Sequence, residues 1–261
     1  MAPTGPVRPP DSPYAARSDH ALRASSPVGA NGYALDAWCR PEQETRRYAG
    51  IVAEGRAMAG DAARVDNPHV THARWVERVI GRHALALPRA GLGPDVGVVA
   101  SSLLCGSGGV TVPMHQRGHG PGHLVDPRHA MGVVCLLAHD GARPWARVAP
   151  YTPGCGYMAH DYTALAGPFG VWPTLPGTDG RLFESADVDM SPGAVLYVDG
   201  RTLLSYGTAA SWMALELLLV GRHGLIGSAA DAPPVRTMSG SAVRWQARPR
   251  DVARLRGFAA P

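Results

Sequence analysis

Thr111-Val112-Pro113-Met114-His115-Gln116-Arg117-Gly118-His119 reads as a short strand that ends in a histidine and, two residues on, an arginine. Alternate side chains of a strand share a face, so His115 and Arg117 are expected to enter the same interior space. A carboxylate or second imidazole at position 117 would announce a metal site. A guanidinium is permanently cationic and has no lone pair to donate, so the pattern points to an anion instead.

Around this stretch the chain is written in short apolar or alternating runs. Asp95 to Cys105, Val110 to Gln116, Ala130 to Ala138, Arg147 to Ala149, Ala194 to Val198, Thr202 to Tyr206 and Trp212 to Val220 are expected strands, punctuated by Gly and Pro. Asp199-Gly200 is a hairpin signal. Upstream, Pro41 with Glu42 and Glu44 predicts a helix start, and Tyr48, Ile51, Val52 and Met58 supply its apolar stripe. A second helix is expected from near Thr71, carrying Trp75, Val76, Val79, Ile80 and Leu87 until Pro88 stops it. Helices first and many strands later predict a mainly β protein, a double-sheet jelly roll or barrel with helices packed on one side. The expected organisation is a flexible arm over residues 1–28, a jelly-roll domain over 29–228 and a C-terminal extension over 229–261 that packs on it, with a last short helix from Arg250 to Gly257.

Composition narrows the function classes. The 25 basic side chains are all arginine and lysine is absent, which reads as coding bias, and a net charge of +4 over 261 residues is small. The arginines are dispersed and no basic helix is interleaved with aromatics, so nucleic-acid binding is not expected. No apolar run is long enough to span a bilayer and no signal-peptide pattern opens the chain; a cytoplasmic protein without a membrane role is expected. The four cysteines form no CxxC pair and are read as buried thiols.

Several segments, in order, resemble the phytanoyl-CoA dioxygenase family of iron and 2-oxoglutarate oxygenases: Asn31-Gly32-Tyr33, Asn67-Pro68-His69, Leu92-Gly93-Pro94-Asp95-Val96, Ser101-Ser102-Leu103, Met114-His115-Gln116-Arg117, Leu124 to Ala130, Arg147 to Pro150, Ser191-Pro192-Gly193-Ala194 and Gly200 to Ser205. The resemblance spans roughly residues 30 to 222. It implies a double-stranded β-helix with helical flanks, and a site in which two histidines and one carboxylate hold iron. Here the first histidine position is His115, the aspartate position is Arg117 and the distal histidine position is Leu204. The arginine expected for 2-oxoglutarate would fall near Ala210, Ser211 or Trp212, where there is none. The resemblance therefore implies a divergent member with no metal, no 2-oxoglutarate and no other cofactor.

An arginine in the mouth of such a barrel makes an anion site. Arg117, with His119 and His123 of the same Gly-rich segment, with Arg201, and with Tyr206 and Trp212 as lining aromatics, is expected to bind an anionic substrate group or a departing sulfate, with His115 as proton acceptor. The reaction class this suggests is elimination or intramolecular displacement, with closure of an aziridine ring as its most specific form, on a small-molecule substrate. Asp36, Asp66, Asp161, Asp199 and Glu216 are the acids available to orient a substrate amine, and the sequence does not choose among them. Two other readings stand beside this one: a non-catalytic subunit in which Arg117 merely pairs with a buried acid and the chain supports a partner enzyme, and an oxygenase with atypical ligands. The spacing of His115, His119 and His123 is broken by Gly118, Gly120, Pro121 and Gly122, which argues against a helical zinc site.

Overall fold

The computed structural model describes residues 28, 31–81, 85–107, 110–116, 119–120, 123–139, 145–149, 161–164, 169, 171–174, 185–207, 211–229, 232–237 and 242–243. In chain order the elements are β1 (Tyr33–Ala37), α1 (Thr45–Ala59), β2 (Arg64–Asp66), α2 (Pro68–Thr71), α3 (Ala73–Ile80), α4 (Ala86–Leu92), β3 (Val96–Gly106), β4 (Val112–Gln116), β5 (His119–Gly120), β6 (His123–Val125), β7 (Ala130–His139), β8 (Trp145–Ala149), β9 (Asp161–Ala164), β10 (Val171–Thr174), β11 (Ala186–Asp189), β12 (Ala194–Asp199), β13 (Leu203–Tyr206), β14 (Trp212–Gly221), β15 (Leu225–Ser228), β16 (Val235–Thr237) and β17 (Ala242–Val243).

Two antiparallel sheets face each other. The major sheet runs β1-β12-β7-β14-β3-β16-β17, with β2 on the same edge of β3 further along, and the minor sheet runs β11-β8-β13-β4. This is the jelly-roll architecture that the strand pattern predicts. The period of two explains why the long central strands are apolar on both faces. On β14, Met213, Leu215, Leu217 and Leu219 join a core with Ile51, Trp75, Val76, Val79 and Ile80 of the helices. Ala214, between them, faces the second core, where Leu104, Val134 and Leu136 meet Val148, Leu204 and Tyr206 of the minor sheet. Each such Leu or Val contributes about 1.5–3 kcal/mol on burial, which is what clamps helices and minor sheet to opposite faces of one sheet.

The helices differ from expectation for local reasons. α1 begins at Thr45, not Pro41. The backbone N–H groups of Trp38 and Cys39 are held by the Gly193 carbonyl at 2.8 and 3.3 Å, which ties the chain after β1 to the turn before β12 and delays the helix. The single helix expected from Thr71 to Pro88 is two, α3 and α4, with α2 ending at Thr71: Gly81 at φ +56° closes α3, and Pro88 lies inside the first turn of α4, where its missing N–H would have no helical acceptor. Asp199-Gly200 is a corner, not a hairpin, because β12 and β13 belong to different sheets. The Thr202 N–H closes that corner on the Asp199 carbonyl at 2.9 Å. Residues 1–27 and the expected helix from Arg250 to Gly257 lie outside the described residues. Among the described residues no helix is long and apolar enough to cross a membrane.

Candidate active site

His115 is on β4, and its neighbour across the minor sheet is Leu204 of β13. The histidine side chain is fully buried and points between the sheets. Pro113 lies two residues upstream, and its carbonyl oxygen is 2.8 Å from His115 Nδ1. A carbonyl only accepts, so Nδ1 carries the ring proton and Nε2 is left as the basic nitrogen. That nitrogen faces Glu216 Oε1 of β14 at 3.6 Å, and Glu216 is also fully buried. An imidazole lone pair and a carboxylate repel each other in this position. Two ionisable groups that face each other in the interior are costly to desolvate.

Of the five acids the sequence leaves open, the structure brings Glu216 to the histidine. Asp36 is exposed on strand β1, and Asp161 begins β9. Asp199 accepts a forked pair of bonds from Arg201, Nε to Oδ1 at 2.9 Å and Nη2 to Oδ2 at 3.2 Å, so the Arg201 guanidinium is matched by a carboxylate of its own turn. The Gln116 side-chain amide bonds the Arg201 carbonyl, which anchors this turn beside the end of β4. Arg117 lies outside the described residues.

The glycine-rich segment after β4 forms short strands: His119 of β5 pairs with Leu124, and Gly120 with His123 of β6. His123 is held by two contacts away from β4. Its Nε2 is 2.8 Å from the Pro233 carbonyl and its Nδ1 is 2.8 Å from Ser228 Oγ, and burial lowers its pKa. His69 is a further buried histidine, on the helical side of the major sheet. Ser101 Oγ accepts its backbone N–H at 3.0 Å and lies 2.7 Å from its Nδ1. Burial, with Arg236 and His123 adding unfavourable charge, depresses the His69 pKa to about 4.

The other end of the interior is aromatic. Trp212 is buried against Phe169 and Tyr206, with ring centroids 5.7 and 5.9 Å away. Its indole fits only because Gly106 and Gly207 lack side chains: a Cβ on Gly106 would lie 2.2 Å from the ring, and one on Gly207 3.0 Å. A cavity of about 10 Å³ lies between Val134, Leu136, Met190, Tyr206 and Trp212, about enough for one water molecule.

No family model and no curated protein matches the sequence. Solved structures do match. ThoJ, a non-heme monooxygenase in its apo form, superposes with a TM-score of 0.60 at 17% identity over 87% of this chain and 90% of that one. The epimerase SnoN, in complex with Fe3+, alpha ketoglutarate and a nogalamycin compound, gives 0.59 at 13% identity over 87% and 96%. EctD from S. alaskensis gives 0.58 at 15% identity over 92% and 90%. The fold is theirs.

A facial triad needs two imidazoles and a carboxylate on one face of the metal. Here His115 and Glu216 come from opposite sheets and Leu204, beside His115, has no donor atom. No group of three or more His, Cys, Asp or Glu side chains able to hold a metal occurs among the described residues. These donors do not fit a facial-triad iron.

Sequence reasoning placed His115 in the interior but did not single out Glu216 as its partner. The only signal was an acidic residue inside the otherwise apolar run Trp212 to Val220, where a charge has to be compensated.

Proposed function

We propose that this chain is a metal-independent, non-redox enzyme of specialised metabolism that expels an anionic group such as sulfate from a small amine, closing a ring such as an aziridine. The observation that carries the reading is the His115–Glu216 pair, a buried imidazole facing a buried carboxylate in the interior of a jelly roll. Two buried ionisable groups cost several kcal/mol in desolvation, and such arrangements concentrate at functional sites. The presence of SnoN, described as belonging to nogalamycin biosynthesis, among the similar folds supports the metabolic setting.

In this mechanism the amine nitrogen attacks the carbon that bears the sulfate ester. The C–N bond forms, the C–O bond breaks and its electron pair leaves with the sulfate. His115 Nε2 accepts the proton released from nitrogen, and Glu216 stabilises the imidazolium. Arg117 holds the departing anion through a forked pair of hydrogen bonds.

Sulfate release from sulfated 1,2-amino compounds, followed by ion chromatography, tests the reading. His115→Asn is expected to lower turnover about 10²–10⁴-fold, and Arg117→Ala to abolish it. Equal rates in wild type and both variants, or iron-dependent consumption of 2-oxoglutarate, would overturn it.

A second reading has its own observation. His115, Glu216 and the apolar side chains around them are fully buried, and the cavity beside Trp212 holds no more than a water molecule. That packing favours a non-catalytic subunit that stabilises a partner enzyme. Co-purification of one stoichiometric protein from the native host, with no sulfate release by either protein or both together, is the result this reading expects.

A further inference from the structure

A reaction that delivers a proton to a buried pair has to return that proton to water before the next turnover. From Glu216 one line of polar side chains crosses the inner face of the major sheet to its edge. Glu216 on β14 is directly opposite Ser102 on β3, and Ser102 is directly opposite Asp66 on β2. Residues opposite one another on neighbouring strands project to the same face with Cβ atoms about 4.5–5.5 Å apart. Ser102 is 6% exposed, and its Oγ donates to Asp66 Oδ1 at 3.4 Å. The Asp66 side chain is 55% exposed, so the line starts in the core and ends in solvent. The residues flanking it on the same face, Leu104 on β3 and Ala214 on β14, are buried and apolar. At the outer end Arg64 holds Asp66 in place, with Nε 2.7 Å from Oδ1 and Nη1 bonded to the Phe169 carbonyl at 2.9 Å.

We propose that Glu216, Ser102 and Asp66 form a proton relay that connects His115 to solvent at the β2 edge. The proposal rests on the catalytic reading of His115. Each step is a transfer without change of oxidation state. Glu216 takes the proton from His115 Nε2. The Ser102 hydroxyl accepts that proton from the Glu216 carboxyl while giving its own to Asp66, and Asp66 releases it to water. Ser102 and Asp66 act through Glu216 and are positioning residues that touch no substrate. The hydroxyl matters because it is the one side chain between the two carboxylates that both donates and accepts.

Exchange with water of the Nε2 proton of protonated His115 tests the relay without a substrate. It is measured by NMR on the full chain labelled with 15N-histidine, His115→Asn assigning the signal. Ser102→Ala and Asp66→Asn are each expected to slow exchange at least about tenfold, and Ser102→Thr, which keeps the hydroxyl, to leave it near wild type. A merely structural role for Ser102 gives the opposite sign, since a loosened core exchanges faster. Unchanged or faster exchange in Ser102→Ala, or slowing in Ser102→Ala with none in Asp66→Asn, overturns the relay. The two readings fail separately. Slowed exchange without sulfate release from any sulfated amine removes the catalytic reading and keeps the proton path, while His115-dependent turnover with unaffected exchange removes the path alone.

Discussion

His115 and His69 are both buried histidines of one β-sandwich, on opposite sides of its major sheet, and the difference between them lies in what each nitrogen meets. For His69, Ser101 Oγ accepts the backbone N–H and lies 2.7 Å from Nδ1, a neutral partner for a ring whose pKa burial lowers. His123 is equally suited to neutrality, between a carbonyl and a hydroxyl. His115 donates Nδ1–H to a carbonyl and turns its lone pair to a carboxylate. Burial alone tells nothing about a histidine's task. His69 has a hydroxyl beside its ring, whereas His115 has a carboxylate facing its Nε2, the partner on which the catalytic proposal rests.

The largest test of that contrast removes the carboxylate. Glu216→Ala is expected to cost about 3–5 kcal/mol of stability in urea unfolding, because it leaves one member of a buried pair alone. The double variant His115→Leu/Glu216→Leu is expected to recover most of it, since apolar replacement of a buried pair is often neutral or stabilising.

His69 is the acid-sensitive member of the comparison. The folded pKa of His69, about 4, lies below its ordinary 6.5, so between these values the unfolded chain binds a proton that the folded one does not. Its contribution is therefore fully present above pH 6.5 and is lost as pH falls, by about 3 kcal/mol near pH 4. His69→Gln is expected to flatten this part of the stability–pH profile measured by thermal unfolding, and a profile identical to wild type would contradict the neutral assignment.

Smaller effects sharpen the same point. Ser101→Ala leaves the His69 backbone N–H and Nδ1 without their hydroxyl, at an expected cost of about 1–3 kcal/mol by chemical denaturation. Ser228→Ala removes one of two bonds to His123 and is expected to cost about 1 kcal/mol in the same measurement, as the Pro233 carbonyl keeps the ring in place.

The sequence carried the fold well and the site only in part. The runs Ala130 to Ala138 and Trp212 to Val220 are legible as strands because they are long, apolar and free of Pro, and they appear as β7 and β14. β2 carries no strand signal: three residues with an arginine and an aspartate have no apolar alternation, and they become a strand by pairing with the edge of β3. The Thr71 to Pro88 periodicity was continuous in composition while the backbone turned at Gly81, a left-handed glycine that hydrophobic spacing does not register. His115 was found from its own strand. Its partner is 101 residues away, and no local pattern can say which of five acids a sheet register will place against it.

Strand β1 has a consequence in time. Tyr33 pairs with Val198 and Ala37 with Ala194, so the first described strand of the chain closes on one about 160 residues further along. At about 5–20 residues per second of synthesis, it waits on the order of ten seconds or more before its partner leaves the ribosome. Asp36 is exposed on that strand. A charge there discourages pairing with a neighbouring nascent chain, as edge strands require. The major sheet is thus completed on this side from the C-terminal half backwards, and slow refolding follows from contacts so distant in sequence.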